Sequence, residues 1–394
     1  MRILKFILKS LLVLIVLAIV GLYVSGNGHV LKGLRSTYLI GRSMPDIDDK
    51  DYFETSTIKA DKPEPWGIHK RYGFISLNPE EEQIHEQYKS TAFLVIHKDS
   101  ILFEKYWEGT DETTVTNSFS MAKSMTGSLI GVAIREGYIQ SVDQKVGDFL
   151  PEFKEGKGAD LTIKHLLQMA SGIPFGESYG NPFGFMARAY FGGDLVEETM
   201  KFNVTTTPGE GWVYEGGNTI LLGMILKKAT GRTVSEYFHQ KIWSCIGAEN
   251  DAYWNLDNYK GMEKVFSGFY ATARDFAKFG RLYEHNGILG PDTIVPPAFV
   301  QESIIPGMMV DITPEKSQNE KNYWYGYQTW LGEYKGHDYF SFRGLRGQYV
   351  IVIPELEMIV VRIGHLQSNE RLRHMPIDLE EYVAMGERII DAAK

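Results

Sequence analysis

Residues 118–131 read "SFSMAKSMTGSLIG". Three serines fall within seven residues, and one lysine, Lys123, stands among small and apolar neighbours. The apolar pattern runs on through Val132, Ala133 and Ile134 to Arg135, Glu136 and Gly137, a stop signal. The spacing predicts a helix over about 119–136. Met121, Ala122, Met125, Leu129 and Ile130 make it apolar nearly all round, so it belongs in a core. Gly127 and Gly131 let neighbours come close. A lysine three residues after a serine lies on the same helical face, one turn on. Ser120 is the serine of this segment with a lysine at that spacing, since Ser118 is followed by Met121 and Ser124 by Gly127. Burial disfavours the charged form of an amine, so a buried lysine can serve as a base. A serine hydroxyl is inert until a base takes its proton. A serine at a helix start also has its own N–H free to face an oxyanion. Ser120 is thus the candidate nucleophile and Lys123 its base. The same spacing recurs at Ser56–Lys59, where "ADKPEP" follows and no buried helix can start. On spacing alone, a structural helix start remains the alternative.

The whole chain sets the frame. It has 394 residues, 43% of them hydrophobic, enough for one large core or two modest ones. The net charge of −9 and the lack of a long basic block argue against nucleic acid as a partner. The single cysteine, Cys245, allows no internal disulfide and no Cys-based zinc site, and is expected to be a small buried residue. At the start, "MRILKFILKSLLVLIVLAIVGLYVSG" carries Arg2, Lys5 and Lys9 before an apolar run from Leu11 to Val24. If Lys9 snorkels, the run reaches back to Leu4 and approaches the ~20 residues of a span. An uncleaved membrane anchor over 1–25 is the expectation, with a cleaved signal peptide as the alternative. Either way the remaining chain is placed outside the cytoplasm, tethered at the periplasmic or cell surface, or secreted if cleaved.

Residues 26–65 read as a spacer without periodicity. Their "DIDDKD" lacks the glycine and distal glutamate of a calcium loop and reads as a solvated charge run. "TAFLVIHKDSILFEKYW" (91–107) reads as a β-hairpin. Helices are expected over 161–172, closed by Gly172, over 218–231, and over 272–287, where Thr272 and Asp275 have cap spacing. "YWYGYQTWLG", "DYFSFRG" and "GQYVIVIPELEMIVVRIG" read as strands, and "LEEYVAMGERIIDAAK" as an amphipathic helix. Strands at both ends and helices between them imply an α/β (α+β) fold. One antiparallel sheet would join the first hairpin to the C-terminal strands, with helices on its faces and a mostly helical middle.

A rival serine lies in Gly176-Glu177-Ser178-Tyr179-Gly180, which matches a nucleophile elbow. That motif needs a strand before it and a helix after it. Here a helix and turn precede it and "NPFG" follows, so a glycine-rich loop is the better reading. No His-Glu-x-x-His is present, and no catalytic metal is expected. His165 reads as a core histidine.

With these segments in hand, "SFSMAKSMTGSLIGVAIREGYI" resembles the first motif of the serine β-lactamase and penicillin-binding-protein superfamily. "LTIKHLLQMASGIPFGESY", "PGEGWVYEGGNTILLGMIL", "GFYATARDFAKFGRLY" and "FRGLRGQYVIVIPELEMIVV" follow in the order of its class C-like branch. Within that branch they resemble 6-aminohexanoate-dimer hydrolases and related esterases. The resemblance spans about 66–385 and implies a hydrolase domain over 66–394. It places Tyr214 at the tyrosine of the second motif, a phenol able to shuttle the serine proton to a leaving group. The asparagine of that motif is absent: Gly216 stands there, with Asn218 the nearest asparagine. The third motif aligns with Leu345-Arg346-Gly347 and Gln348, without its first cation. The resemblance implies an oxyanion donor between Leu345 and Gln348, positive charge from Arg343 or Arg346, and substrate contacts from Glu177 and Tyr179.

The expectation is therefore a membrane-anchored serine hydrolase, without a cofactor, acting on a small-molecule amide or ester through an acyl-enzyme on Ser120. Two alternatives stand beside it: a D,D-peptidase or β-lactamase, and a non-catalytic binding module on the same fold. The loops 173–200 and 300–322 are expected to shape the substrate cleft.

Overall fold

Along Ser90–His97 the side chains alternate between two cores. Leu94 and Ile96 enter one, and Phe93 and Val95 the other. The pleat of a strand sends successive residues to opposite faces, so a strand buried on both sides divides its apolar residues in this way. The strand lies within a seven-stranded sheet in a computed structural model that describes residues 1–314 and 320–394. The strand order is Trp330–Tyr334, His337–Gly344, Gln348–Ile353, Met358–Gly364, Ser90–His97, Ser100–Tyr106 and Gly67–Ile68. Antiparallel pairing of Met358–Gly364 with Ser90–His97 joins the C-terminal strands to the first hairpin. The short edge strand Gly67–Ile68 runs parallel to its neighbour. The fold is the mixed α/β arrangement expected from the order of elements.

One face of the sheet is covered by the C-terminal helix Asp378–Ala393 through Leu379, Tyr382, Val383 and Ile389. The other carries the helix Ala273–Glu284, whose start is capped by Thr272 accepting from the Asp275 N–H. Gly280 lets that helix lie on the strands: a Cβ there would stand 2.9 Å from Val350 Cγ1. Beyond it lies the helix Met121–Arg135, buried from Met121 through Ala133, against the helix Gly216–Thr230. At Gly131 a Cβ would meet the Phe299 ring at 2.7 Å, so the glycine is the condition of that packing.

A second, four-stranded antiparallel sheet orders Thr55–Ile58, Ala252–Asn255, Phe269–Ala271 and Thr116–Asn117. It departs from the expected spacer over 26–65. Ile47, Phe53 and Ile58 sit in the main core, and Asp46 and Asp49 of the supposed charge run are buried. Their partners lie far away in the chain, where local periodicity carries no trace of them. The second Ser-x-x-Lys falls in this sheet, with Lys59 paired to Asp251 at 2.6 Å.

Two smaller expectations change. The helix in 161–172 covers only Ile163–Leu167. Gly172 instead serves a close approach, at φ +71 and with no room for a Cβ beside the Thr206 carbonyl. Cys245 is exposed, on the turn that follows the helical segment His239–Trp243. At the N-terminus, Arg2–Val24 forms one helix with no buried residue and a mean hydropathy of 2.7 over its most apolar window. At 1.5 Å per residue it is about 35 Å long, enough to cross a bilayer.

Candidate active site

Ser120 stands at the N-cap of the helix Met121–Arg135, and the residue before it is strained. Phe119 has φ +45, in the left-handed region that a bulky side chain avoids. Its N–H donates to Asn117 Oδ1 at 2.8 Å, and Asn117 is itself fixed in the small sheet. Asn117 Nδ2 reaches Asp49 Oδ1 at 3.3 Å. Asp49 also accepts from Tyr190 at 3.1 Å and from Tyr270. Burial raises the Asp49 carboxyl to about 6 against these hydrogen bonds.

Lys123 Nζ lies 2.9 Å from Ser120 Oγ and 3.0 Å from the Phe266 carbonyl oxygen. The lysine is 1% exposed. Its Nζ faces the Tyr214 ring at 5.0 Å from the centroid. Tyr214 is packed between Trp330 and Tyr325, with ring centroids 5.1 and 5.9 Å away. Ser120 and Tyr214 line one cleft of about 230 Å³ together with Glu177, Tyr179, Trp330 and Arg343. Residues singled out in four distant stretches of sequence thus share one cavity.

The loop Gly176–Gly180 has neither the strand nor the helix of a nucleophile elbow, and Ser178 is exposed on it. Its acidic residue holds the site together. Glu177 Oε2 accepts from the Gly216 N–H at 2.7 Å, at the start of the helix Gly216–Thr230, and its other oxygen accepts from Tyr179 at 2.5 Å. A carboxylate at a helix N-terminus meets unpaired N–H groups and the positive end of the dipole. A Cβ on Gly216 would lie 3.5 Å from that oxygen, so the position that lacks the motif asparagine is occupied from across the cleft. Asn218 does not replace it, because its amide is turned to the Glu215 carbonyl and Met169. Beside Glu177, burial pushes the Glu215 carboxyl up to about 7, aided by the Glu177 charge.

The residues of the late turn divide. Leu345 lines the cleft, and so does Gly344, which the motif reading passed over. A Cβ on Gly344 would lie 2.1 Å from the Ser118 carbonyl oxygen, so this backbone passes directly beside the segment that carries Ser120. The Gly347 N–H is committed to Gln367 Oε1 at 3.0 Å. The Gln348 side chain is buried, bonded to the Leu345 and Gly364 carbonyls. These two positions shape the turn and leave the cleft wall to Gly344 and Leu345. Arg362 fixes the same turn, donating to the carbonyls of Arg346 and Gly347 at 2.9 and 3.0 Å.

The two arginines also part. Arg346 is a clasp, bonded to the Pro45 and His365 carbonyls and 3.6 Å from Asp46. Arg343 faces the cleft with its guanidinium 3.7 Å above the Trp330 ring. Burial lowers it to about 10, which leaves it charged at neutral pH. Among the described residues no carboxylate forms an ion pair with it. Trp330 is the cleft-lining residue that the sequence reading missed; its signal was the aromatic run "YWYGYQTWLG". Residues 315–319 of the expected cleft loop 300–322 lie outside the described residues. His165 caps its own helix, its ring accepting from the Thr162 N–H, and His365 pairs with Asp46 at 2.7 Å.

Comparison with known proteins bears on the family and the fold. The profile of the family described as Beta-lactamase matches residues 78–381. The 6-aminohexanoate-dimer hydrolase of Paenarthrobacter ureafaciens is 26% identical over 300 residues, covering 73% of this chain and 75% of that protein. Among solved structures, a candidate 6-aminohexanoate-dimer hydrolase from Bacillus anthracis superposes with a TM-score of 0.67 at 22% identity, over 88% of this chain and 92% of that one. A family VIII carboxylesterase superposes with a TM-score of 0.60 at 18% identity, over 79% of this chain and 98% of that one. Both structures share the fold.

Proposed function

The chain belongs to the beta-lactamase family, and from that premise we propose that it is a serine hydrolase cleaving an amide or ester through an acyl-enzyme on Ser120. The observation that carries the reading is the 2.9 Å approach of Lys123 Nζ to Ser120 Oγ, in a cleft that also takes Tyr214. In the reaction, Ser120 Oγ bonds to the substrate carbonyl carbon while its proton passes to Lys123. The Ser120 N–H and the backbone at Gly344–Leu345 face the oxyanion. Collapse breaks the bond to the leaving nitrogen or oxygen, which takes up the proton by way of Tyr214. Water then attacks the acyl carbon, and Ser120 regains its proton.

Gly216 in place of the motif asparagine, and the missing cation at the head of the third motif, weigh against a β-lactam or D,D-peptide substrate. The Ser120–Lys123 contact weighs against a retired binding module. The helix Arg2–Val24 supports a chain exported and held at a membrane, or secreted if that helix is removed.

A fluorophosphonate probe tests the reading. The wild-type chain is expected to be labelled and Ser120→Ala to stay unlabelled. Lys123→Met should label at a rate lower by two orders of magnitude or more. A folded wild type that resists the probe would remove the hydrolase reading.

A further inference from the structure

Ser120 lies where two unlike cavities meet. The cleft on the Tyr214 side is the more polar of the two and holds Glu177 and Arg343. On the Lys123 side a narrower space of about 80 Å³ is walled by Phe119, Met186, Tyr190 and Phe266. It shares Met44, Pro45, Tyr179, Ala187 and Phe191 with a groove of about 440 Å³. That groove runs between the helices His29–Ser36 and Phe185–Phe191, lined further by Val30, Leu34 and Tyr38. The helices are in close contact, with the Gly33 Cβ position 3.3 Å from the Phe191 ring.

We propose that the acyl half of the substrate is a fatty chain drawn from a bilayer, lying in this apolar passage with its carbonyl at Ser120. The proposal rests on the hydrolase reading above and names the substrate class of that same site. Tyr214, the proton donor to the leaving group, faces the polar cleft, so the leaving group belongs there and the acyl group on the opposite side. That side offers aromatic and aliphatic walls, and each methylene that leaves water for them adds to binding. Lys123, at the inner end, already bonds Ser120 and the Phe266 carbonyl. His29, at the outer end, is bonded to the Pro182 carbonyl at 2.8 Å.

The place of the groove points to the source of the chain. Only residues 25–28 separate it from the apolar helix Arg2–Val24. That link is pinned, with Arg188 donating to Asn27 Oδ1 at 2.7 Å. Tyr38, which lines the groove, and its neighbour in the chain Leu39 are 63% and 78% exposed, apolar surface that suits a bilayer interface. A polar head in one cleft and a chain in the other make the substrate an amphiphile.

The test uses the full chain in phosphatidylcholine vesicles with p-nitrophenyl esters from acetate to dodecanoate. The wild type is expected to favour the long esters in kcat/KM. Ala187→Trp, at the junction of the two spaces, should lower the dodecanoate-to-acetate ratio at least tenfold. Leu34→Asp, at an exposed position of the groove, should lower it in the same direction with less risk to folding, which melting curves monitor. A wild type indifferent to chain length, or a ratio unmoved in both folded variants, overturns the proposal. Turnover that follows the ester's mole fraction in the bilayer supports entry from the membrane, and turnover that follows only its aqueous concentration overturns it. Binding gives a readout free of chemistry: cis-parinaric acid fluorescence should show saturable binding to Ser120→Ala, weakened by adding Ala187→Trp. If fluorophosphonate leaves Ser120 unlabelled while this binding persists, the hydrolase reading falls and the fatty-chain passage stands.

Discussion

Asn117 ties Asp49, from the N-terminal segment, to the backbone that presents Ser120. Its Nδ2 lies 3.3 Å from Asp49 Oδ1 and its Oδ1 takes the Phe119 N–H at 2.8 Å. Asp49→Ala would take the acceptor from two buried phenols, Tyr190 and Tyr270, and leave the Asn117 amide only its 3.2 Å contacts to those phenol oxygens. A buried donor left unpaired costs about 1–3 kcal/mol. We expect a loss on the order of 3 kcal/mol in urea unfolding, and slower fluorophosphonate labelling as Phe119 relaxes from its left-handed conformation. Wild-type stability together with wild-type labelling in Asp49→Ala would refute this coupling.

Gly344→Ala puts a methyl group against a carbonyl that cannot yield. The Ser118 oxygen lies 2.1 Å from the Cβ position, and both partners are backbone. The strand end must retreat from Ser120, and the oxyanion contact proposed for it goes with it. Loss of one such donor typically costs about 10²–10³ in rate. The expected result is a fall of that order in kcat, with KM much less affected. Unchanged kcat in a folded variant would place the oxyanion contact elsewhere.

Glu215 gives the chain a pH dependence of defined sign. Its folded carboxyl is raised to about 7, chiefly by burial, against 4.5 in the ordinary case. The folded protein therefore binds the proton more tightly than the unfolded chain. The stability this contributes is fully present below about 4.5 and is lost as pH rises to about 7. The span corresponds to roughly 3 kcal/mol. Glu215→Gln removes the titrating group, so the melting temperature of the variant relative to wild type should rise between pH 5 and pH 8. A difference that stays flat over this range would show that Glu215 is ionised in the fold throughout.

Arg343 offers the cleft a buried positive charge stacked on Trp330 at 3.7 Å. Substrates whose leaving group carries a carboxylate should gain from it. In Arg343→Gln the kcat/KM ratio between a carboxylate-bearing ester and its neutral methyl ester should fall about tenfold, the factor set by roughly 1.4 kcal/mol of charged hydrogen bonding. Equal losses for both esters would reduce Arg343 to a support for Trp330.

How far the sequence foretold this arrangement depended on the range of the contacts. Ser120 and Lys123 were legible because a helix brings residues three apart together by itself. The two-faced sheet was legible because pleating writes a period of two into the chain. The segment 26–65 was not, because Ile47, Phe53 and Ile58 are single anchors and Asp49 finds Tyr270 only after folding. The late turn was located to within a residue or two, and Leu345 of the expected stretch does line the cleft. Which of Gly344, Leu345, Gly347 and Gln348 meets the cleft is decided by the pairing of Gly344 with Gln348 across the turn, which no local pattern encodes.

The strand Thr55–Ile58, paired residue for residue with Ala252–Asn255, has a mechanical meaning. A catalytic domain on a loose leash would sweep a hemisphere above its anchor. Here the leash is sewn into the domain almost to the end of the apolar helix, so the height and tilt of the site over a surface become properties of the fold. On the proposed reading, with the helix Arg2–Val24 held in a bilayer, inserting residues between Ser25 and Gly28 would change which layer of the membrane the cleft can reach while leaving the Ser120–Lys123 contact as it is.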